Sequence, residues 1–302
     1  MLQDTHDPTT RRKTIMFSLN FTGKTIAIAG VGAQSSICTQ IMAALLAQGA
    51  EVVLLCHPVL IERKMIARAI KGHSVKAIIP VDASSQESIA TCIDALAPYG
   101  PFDGFVHGIA FSDKEQLKGS YVDVTPGNLL NTLNISSVSF HDMAIRMAKH
   151  MRDGSSMLAL TFHASQVTFE HYLAMSPAKA TLEAIVVQLA RALGERDIRV
   201  NAISPGPIKT PSGNAIDNFD IILEHERTRA FLGRNVTGED IASAALYLLS
   251  DLSAFVTAII LLVDGGAHRS AMVPARNARA AQGVLGNIAD LYETRQKGTP
   301  QE

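Results

Sequence analysis

From Gly23 to Gly266 the chain repeats one pattern, a short continuous apolar run followed by an amphipathic stretch of helix length. The runs are Thr25–Ala29, Val52–Leu55, Val75–Ile79, Gly104–His107, Met157–Thr161, Ile198–Ala202 and Ala258–Val263. They do not alternate apolar and polar residues, as half-exposed strands do, so they read as strands covered on both faces. Helix-period stretches lie between them at about 36–48, 85–97, 126–150, 178–193 and 238–250. This alternation predicts an α/β fold, a doubly wound parallel seven-stranded sheet of Rossmann type with right-handed crossovers. No internal repeat or low-complexity linker divides it. A single domain is therefore expected over residues 21–270, after a flexible lead over 1–20 and before a C-terminal extension over 271–302 with a last helix at about 279–293.

Composition excludes several functions. The formal net charge is -1, which provides no basic footprint for nucleic acid. The cluster Arg11-Arg12-Lys13 lies in a polar stretch and reads as a solvated tail. The longest strongly apolar stretch, Ala258–Val263, is too short to span a bilayer, and residues 1–15 lack the apolar core of a secretory signal. Cys38, Cys56 and Cys92 are odd in number and form neither a CxxC motif nor a zinc spacing. They read as buried free thiols in a reducing cytoplasm. No metal, membrane or nucleic-acid partner is expected.

Gly30-Val31-Gly32 ends the first strand just before the first helix. Glycine permits a sharp turn and close approach of a diphosphate, which the helix N-terminus attracts. Ser35 holds the third glycine position of a full GxGxxG, so the turn alone is weak evidence. The second strand closes on Cys56-His57, leaving His57 at the adenosine ribose end. No Asp or Glu follows to hold a ribose 2′-hydroxyl, and no Arg until Arg63 to hold a 2′-phosphate. NADH is favoured over NADPH because no basic pair meets a phosphate. The third strand ends at Asp82, placed either to accept the adenine amino hydrogen or to cap a helix in competition with Ser84 and Ser85.

Tyr172 and Lys179 stand seven residues apart, nearly two helical turns, which puts them on one side of a helix. Ser176-Pro177 reads as an N-cap with proline at the first helical position, leaving Tyr172 in the turn before. The segment Tyr172-Leu-Ala-Met-Ser-Pro-Ala-Lys179 resembles the Tyr-x6-Lys signature of the enoyl-acyl-carrier-protein reductases, a divergent branch of the short-chain dehydrogenase/reductase superfamily. The commoner branch uses Tyr-x3-Lys with a Ser thirteen residues before the tyrosine, where this chain has Ser176 and Ala159. Four other segments are similar to the same family: Gly30-x5-Ser36-Ile37, Phe102-Asp-Gly-Phe-Val-His107-Gly108-Ile-Ala-Phe111, Asn201-Ala-Ile-Ser-Pro-Gly-Pro207-Ile208-Lys-Thr210, and Val263-Asp-Gly-Gly266.

The resemblance implies hydride transfer from NAD(P)H to the β-carbon of an enoyl thioester, as in fatty acid synthesis. It implies that Tyr172 donates to the thioester oxygen and that Lys179 holds the nicotinamide ribose. Ser36, Ile37, Gly108, Pro207, Ile208 and Thr210 would line the cofactor, with Gly30, Gly32, His57 and Asp82. Phe111, Phe162, Tyr172 and Phe219 would border the substrate, beneath a lid at about 211–232. Phe162 replaces a second tyrosine that many members carry, which selects a subtype. Gly32 and Gly108 stand where Ala and Ser are common in the family, and both read as tolerable small residues. A homotetramer built on the helices at 126–150 and 178–193 is implied, with a dimer as the alternative.

The lid carries Asp217, Asp220, Glu224 and Glu226 against Arg227 alone. That balance disfavours an acidic carrier protein and leaves a coenzyme A thioester open. His163 and His171 flank the tyrosine as candidate general bases. The alternatives are a short-chain carbonyl reductase or alcohol dehydrogenase acting on a small metabolite, for which Thr161 and His163 leave room, and a non-catalytic nucleotide-binding protein.

Overall fold

The computed structural model describes residues 19–169, 171–210, 213 and 219–271. The lead up to residue 18, the extension from 272 with its expected helix, and residues 211–212 and 214–218 of the lid, including Asp217, lie outside the described residues. Seven strands form one parallel sheet in the order β3-β2-β1-β4-β5-β6-β7. They are β1 Thr25–Ala29, β2 Glu51–Cys56, β3 Ala77–Pro80, β4 Phe102–His107, β5 Met151–Leu160, β6 Arg199–Pro205 and β7 Ile260–Val263. The helices are α1 Ile37–Ala47, α2 Pro58–Glu62, α3 Met65–Ala69, α4 Gln86–Ala95, α5 Pro126–Leu133, α6 Ser139–Met147, α7 Met175–Leu193, α8 Phe219–Arg229 and α9 Gly238–Leu249.

The continuous apolar runs are explained by helices on both faces. In β1, Ala27 and Ala29 pack toward a core shared with Ile89, Phe140 and Leu182 of α4, α6 and α7. Ile26 and Ile28 of the same strand pack toward Ile41 of α1 and Ile241 of α9. Each isoleucine, leucine or phenylalanine side chain so buried contributes roughly 1.5–3 kcal/mol before entropy is counted. Alternation still exists in each strand, but it sorts residues between two apolar layers rather than between core and water.

Strand order reverses between β1 and β4, so their following segments diverge and leave a crevice at their carboxyl ends. The Gly108 N–H donates to the Ala29 carbonyl at 2.8 Å and holds the two strand ends together at the base of that crevice.

Three elements depart from the sequence expectation. The stretch at 126–150 is helical throughout but irregular: a π-helical turn, Asn134–Val138, joins α5 to α6. Helix α7 begins at Met175 with Ala174 at its N-cap, so Ser176-Pro177 lies inside the first turn and does not cap it. The orphan N–H groups there are taken by turns instead, Met175 to Tyr172 O at 2.9 Å and Ser176 to Leu173 O at 3.0 Å. Proline is tolerated so early in a helix because its missing N–H has no intrahelical acceptor to lose. The short helices α2 and α3 were not anticipated. His57 caps α2, its Nδ1 accepting the Val59 N–H at 3.3 Å, with Pro58 at the first position.

Candidate active site

A cavity of about 480 Å³ opens over the carboxyl ends of β1, β4, β5 and β6. It brings together Gly30, Ser36, Ile37, Gly108, Phe111, Phe162, Tyr172, Lys179, Pro207, Ile208, Thr210 and Phe219 of the sequence-derived set. Gly32, His57 and Asp82 do not border it. They lie further along the β1–β2–β3 side, where the Asp82 carboxylate accepts both the Ser84 N–H at 2.9 Å and its hydroxyl at 2.7 Å. Those bonds, with a smaller contribution from His57, hold the Asp82 carboxyl below its usual range. Ser85, not Asp82, caps α4.

The local sequence accounts for each wall. Gly30 has φ 113°, a conformation that side chains rarely adopt, and a Cβ there would meet the Gly108 carbonyl carbon at 2.6 Å. Ser36 and Ile37 form the N-terminal entry of α1, whose first N–H groups precede any i−4 carbonyl of the helix, the Thr39 N–H turning back to the Ser36 carbonyl at 3.0 Å. No acidic side chain occupies that turn, so the helix end is open to an anion. These features fit the diphosphate of a dinucleotide. At Gly32 a Cβ would meet only Leu60 at 3.8 Å, an ordinary contact, so either glycine or alanine fits there. At Gly108 glycine fits and a side chain does not, because a Cβ would fall 2.3 Å from the Cys38 sulfur.

Tyr172 sits in the turn before α7, between His171 at φ 61° and Leu173 at φ 40°. Left-handed residues on both sides of Tyr172 are costly because they carry side chains, and they fix the direction in which the phenol leaves the chain. Burial pushes the Tyr172 hydroxyl above its usual range, so it stays protonated. Lys179 is buried on the second turn of α7, and its Nζ donates to the Leu160 carbonyl at 2.9 Å. Desolvation lowers its pKa to about 8, against the opposing pull of Glu183. Ser137, in the π turn, donates to the Ala178 carbonyl beside it at 2.5 Å.

The acyl side of the cavity is apolar. Phe162 stands 5.0 Å from the Tyr172 ring and 4.7 Å from Phe169, ring centre to centre. Leu117 and Met175 pack into the same cluster, and Phe219 closes it from α8 against Gly213. Sequence reasoning missed Phe169, Leu117, Met175 and Cys38. The only signal for Phe169 was its closeness to Phe162 and Tyr172 in sequence, which says nothing of direction in an irregular loop.

Neither histidine borders the cavity. His163 faces His268, ring centres 5.9 Å apart, and burial with that neighbour keeps it below its usual range. Thr161 borders the cavity, but its hydroxyl is donated to Glu183 at 2.7 Å. Ala159 is fully buried in β5, so no hydroxyl is supplied there.

The acidic lid is also corrected. Lys209 and Arg229 were left out of the charge balance. Asp220 pairs with Lys209 at 2.9 Å, Glu224 with Arg227 Nε at 2.7 Å, and Glu226 is buried against Arg229 at 3.3 Å. These pairs leave no block of unmatched carboxylates on α8, so its charge does not argue against an acidic carrier. Among the described residues no group of three or more His, Cys, Asp or Glu is placed to hold a metal, and no helix is long and apolar enough to cross a membrane.

Comparison with known proteins agrees with this arrangement. The family model described as Enoyl-(Acyl carrier protein) reductase matches residues 30–268. Enoyl-[acyl-carrier-protein] reductase [NADH] 2 of Rhizobium meliloti (strain 1021) is 41% identical over 251 residues, 83% of this chain and 93% of the relative. The corresponding NADH enzyme of Rickettsia bellii (strain RML369-C) is 38% identical over 81% of this chain and 93% of its own length. Among solved structures, the enoyl-(acyl-carrier-protein) reductase of Anaplasma phagocytophilum in complex with NAD superposes with a TM-score of 0.80 at 38% identity, covering 84% of this chain and 97% of that one. With one family matched over the cavity walls from Gly30 to the turn after β7, the chain belongs to the enoyl-(acyl carrier protein) reductases.

Proposed function

We propose that this protein transfers hydride from NADH to the β-carbon of an α,β-unsaturated acyl thioester held on acyl carrier protein. The observation that carries the reading is the meeting, in one largely apolar cavity, of a buried phenol, a buried ammonium and a glycine-floored strand-to-helix turn. NADH, when bound, supplies the hydride. Tyr172 donates to the thioester oxygen, where negative charge grows as the enolate forms. That bond strengthens along the reaction, so it lowers the barrier rather than merely tightening substrate binding. Lys179 holds the nicotinamide ribose hydroxyls, and its charge favours the same developing anion. Ser36, Ile37 and Thr210 bind the diphosphate side, with His57 and Asp82 at the adenosine end. Phe111, Phe162 and Phe219 hold the acyl chain and exclude water.

The carbonyl-reductase reading has no hydroxyl at residue 159, and Thr161 is engaged with Glu183. The experiment is to follow NADH oxidation with crotonyl and octenoyl thioesters on carrier protein and on coenzyme A. Turnover of the enoyl thioesters but not of ketones supports the proposal. Turnover of ketones alone sinks it.

The same reading assigns the protein to the cytoplasm, which is supported by three buried unpaired thiols. It also assigns a homotetramer. Leu130 on α5, Ile145 on α6 and Val187 on α7 are exposed apolar side chains on the stretches 126–150 and 178–193 expected to form that interface.

A further inference from the structure

The floor of the cofactor cavity is packed more closely than side chains at two of its positions would allow. Gly30 and Gly108 touch backbone to backbone. A Cβ on Gly108 would meet the Cys38 sulfur at 2.3 Å and Leu160 Cδ1 at 2.9 Å. Gly108 is not in the left-handed region, so the need for glycine is one of space and not of backbone conformation. The volume a side chain at 108 would fill is already filled by the thiol of Cys38. That thiol comes from the first turn of α1, borders the cavity, and donates weakly to the Ala29 carbonyl at 3.6 Å.

We infer that Cys38 and Gly108 form one steric unit, a positioning pair that sets how deeply the nicotinamide half of the cofactor seats beside Lys179. This rests on the NADH reading above. Cys38 and Ala29 beneath it are both buried, and packed interiors transmit such overlaps as shifts. A side chain at 108 therefore presses on the α1 entry, which carries Ser36 and Ile37, or on the end of β4, which Gly108 directly follows. Leu160 does not impose the same limit, because the atom approached is the tip of a rotatable side chain. Its carbonyl, however, holds Lys179, so a displaced β4 end presses on the segment that orients the ammonium. Burial raises the Cys38 thiol to about 12, which makes it an uncharged spacer at neutral pH.

The test is a double-mutant cycle read by NADH binding, using wild type, Gly108→Ala, Cys38→Ala and the double variant of the full chain. Gly108→Ala is expected to weaken NADH binding about tenfold or more when Cys38 is present. On the Cys38→Ala background the same substitution is expected to weaken it less than about threefold. The KM for NADH should rise in Gly108→Ala while that for the thioester holds, a split that general destabilisation would not produce. Equal losses on the two backgrounds overturn the inference. If Gly108→Ala does not fold, soluble yield and melting temperature replace binding: folding restored by Cys38→Ala supports the pair, and failure on both backgrounds overturns it. If wild type binds no NADH, the proposed function fails, and the pair stands or falls on whether the loss in melting temperature is background-dependent.

Discussion

Two side chains carry most of the proposed chemistry, and both were legible before the fold was known. Tyr172 and Lys179 announce themselves by a spacing of seven residues. What the spacing leaves open is their environment. Replacing Tyr172 with Phe removes one donor to a developing oxyanion and is expected to lower kcat about 10²–10³-fold. NADH binding should change little, as steady-state kinetics beside a cofactor titration would reveal. Lys179 offers a pH signature. Desolvation lowers its pKa to about 8, so the cation is present below that value and is lost as pH rises through it. NADH affinity should fall across that range, and in Lys179→Gln it should be weak and flat with pH. Phe169, Met175 and Cys38 illustrate what remained hidden. A loop aromatic, a first-turn methionine and a thiol look like ordinary core residues until the chain is folded around a common cavity.

At the scale of elements, the seven apolar runs located every strand; burial on both faces explains the signal of the inner strands, while the edge strands β3 and β7 are apolar but only partly buried. Boundaries were less legible. Strand β5 begins at Met151, well before the run at Met157, because its early residues are exposed and polar. The π turn at 134–138 has no periodic signature, since one extra residue shifts the phase of an otherwise regular helix. Its serines nonetheless tie the turn to the site, Ser136 through the Phe111 backbone at 3.0 Å and Ser137 through Ala178. Helix α8 is anchored by Arg229, which reaches the Ser270 carbonyl at 2.9 Å and the buried Glu226. Arg229→Ala removes the guanidinium from that buried carboxylate and leaves only His225 beside it, at a cost of about 1–3 kcal/mol to the local structure. Hydrogen exchange should quicken across 219–229 while β1 and β4 keep their protection. Unchanged exchange there would mean that Arg229 does not anchor the helix.

For the whole molecule, ligand binding and assembly are the measurable consequences. NADH at a hundredfold excess over its Kd should stabilise the folded protein by about 2.7 kcal/mol, a rise of a few degrees in melting temperature. The shift should shrink in Lys179→Gln. Light scattering on the eluting protein is expected to give the mass of four chains, and Val187→Glu on α7 to reduce it. A wild-type mass of one chain would remove the assembly from the account. By itself the amino-acid order determined the layered α/β architecture, the chemistry of the central pair and the family, because periodicity and motif spacing are local properties of a chain. It left to the tertiary structure which glycine is sterically required, how the lid carboxylates are neutralised, and which histidines stay away from the cavity. Those outcomes depend on contacts between residues far apart in sequence: Cys38 against Gly108, Lys209 against Asp220, His163 against His268. Such contacts exist only once seven strands have brought their carboxyl ends to one edge.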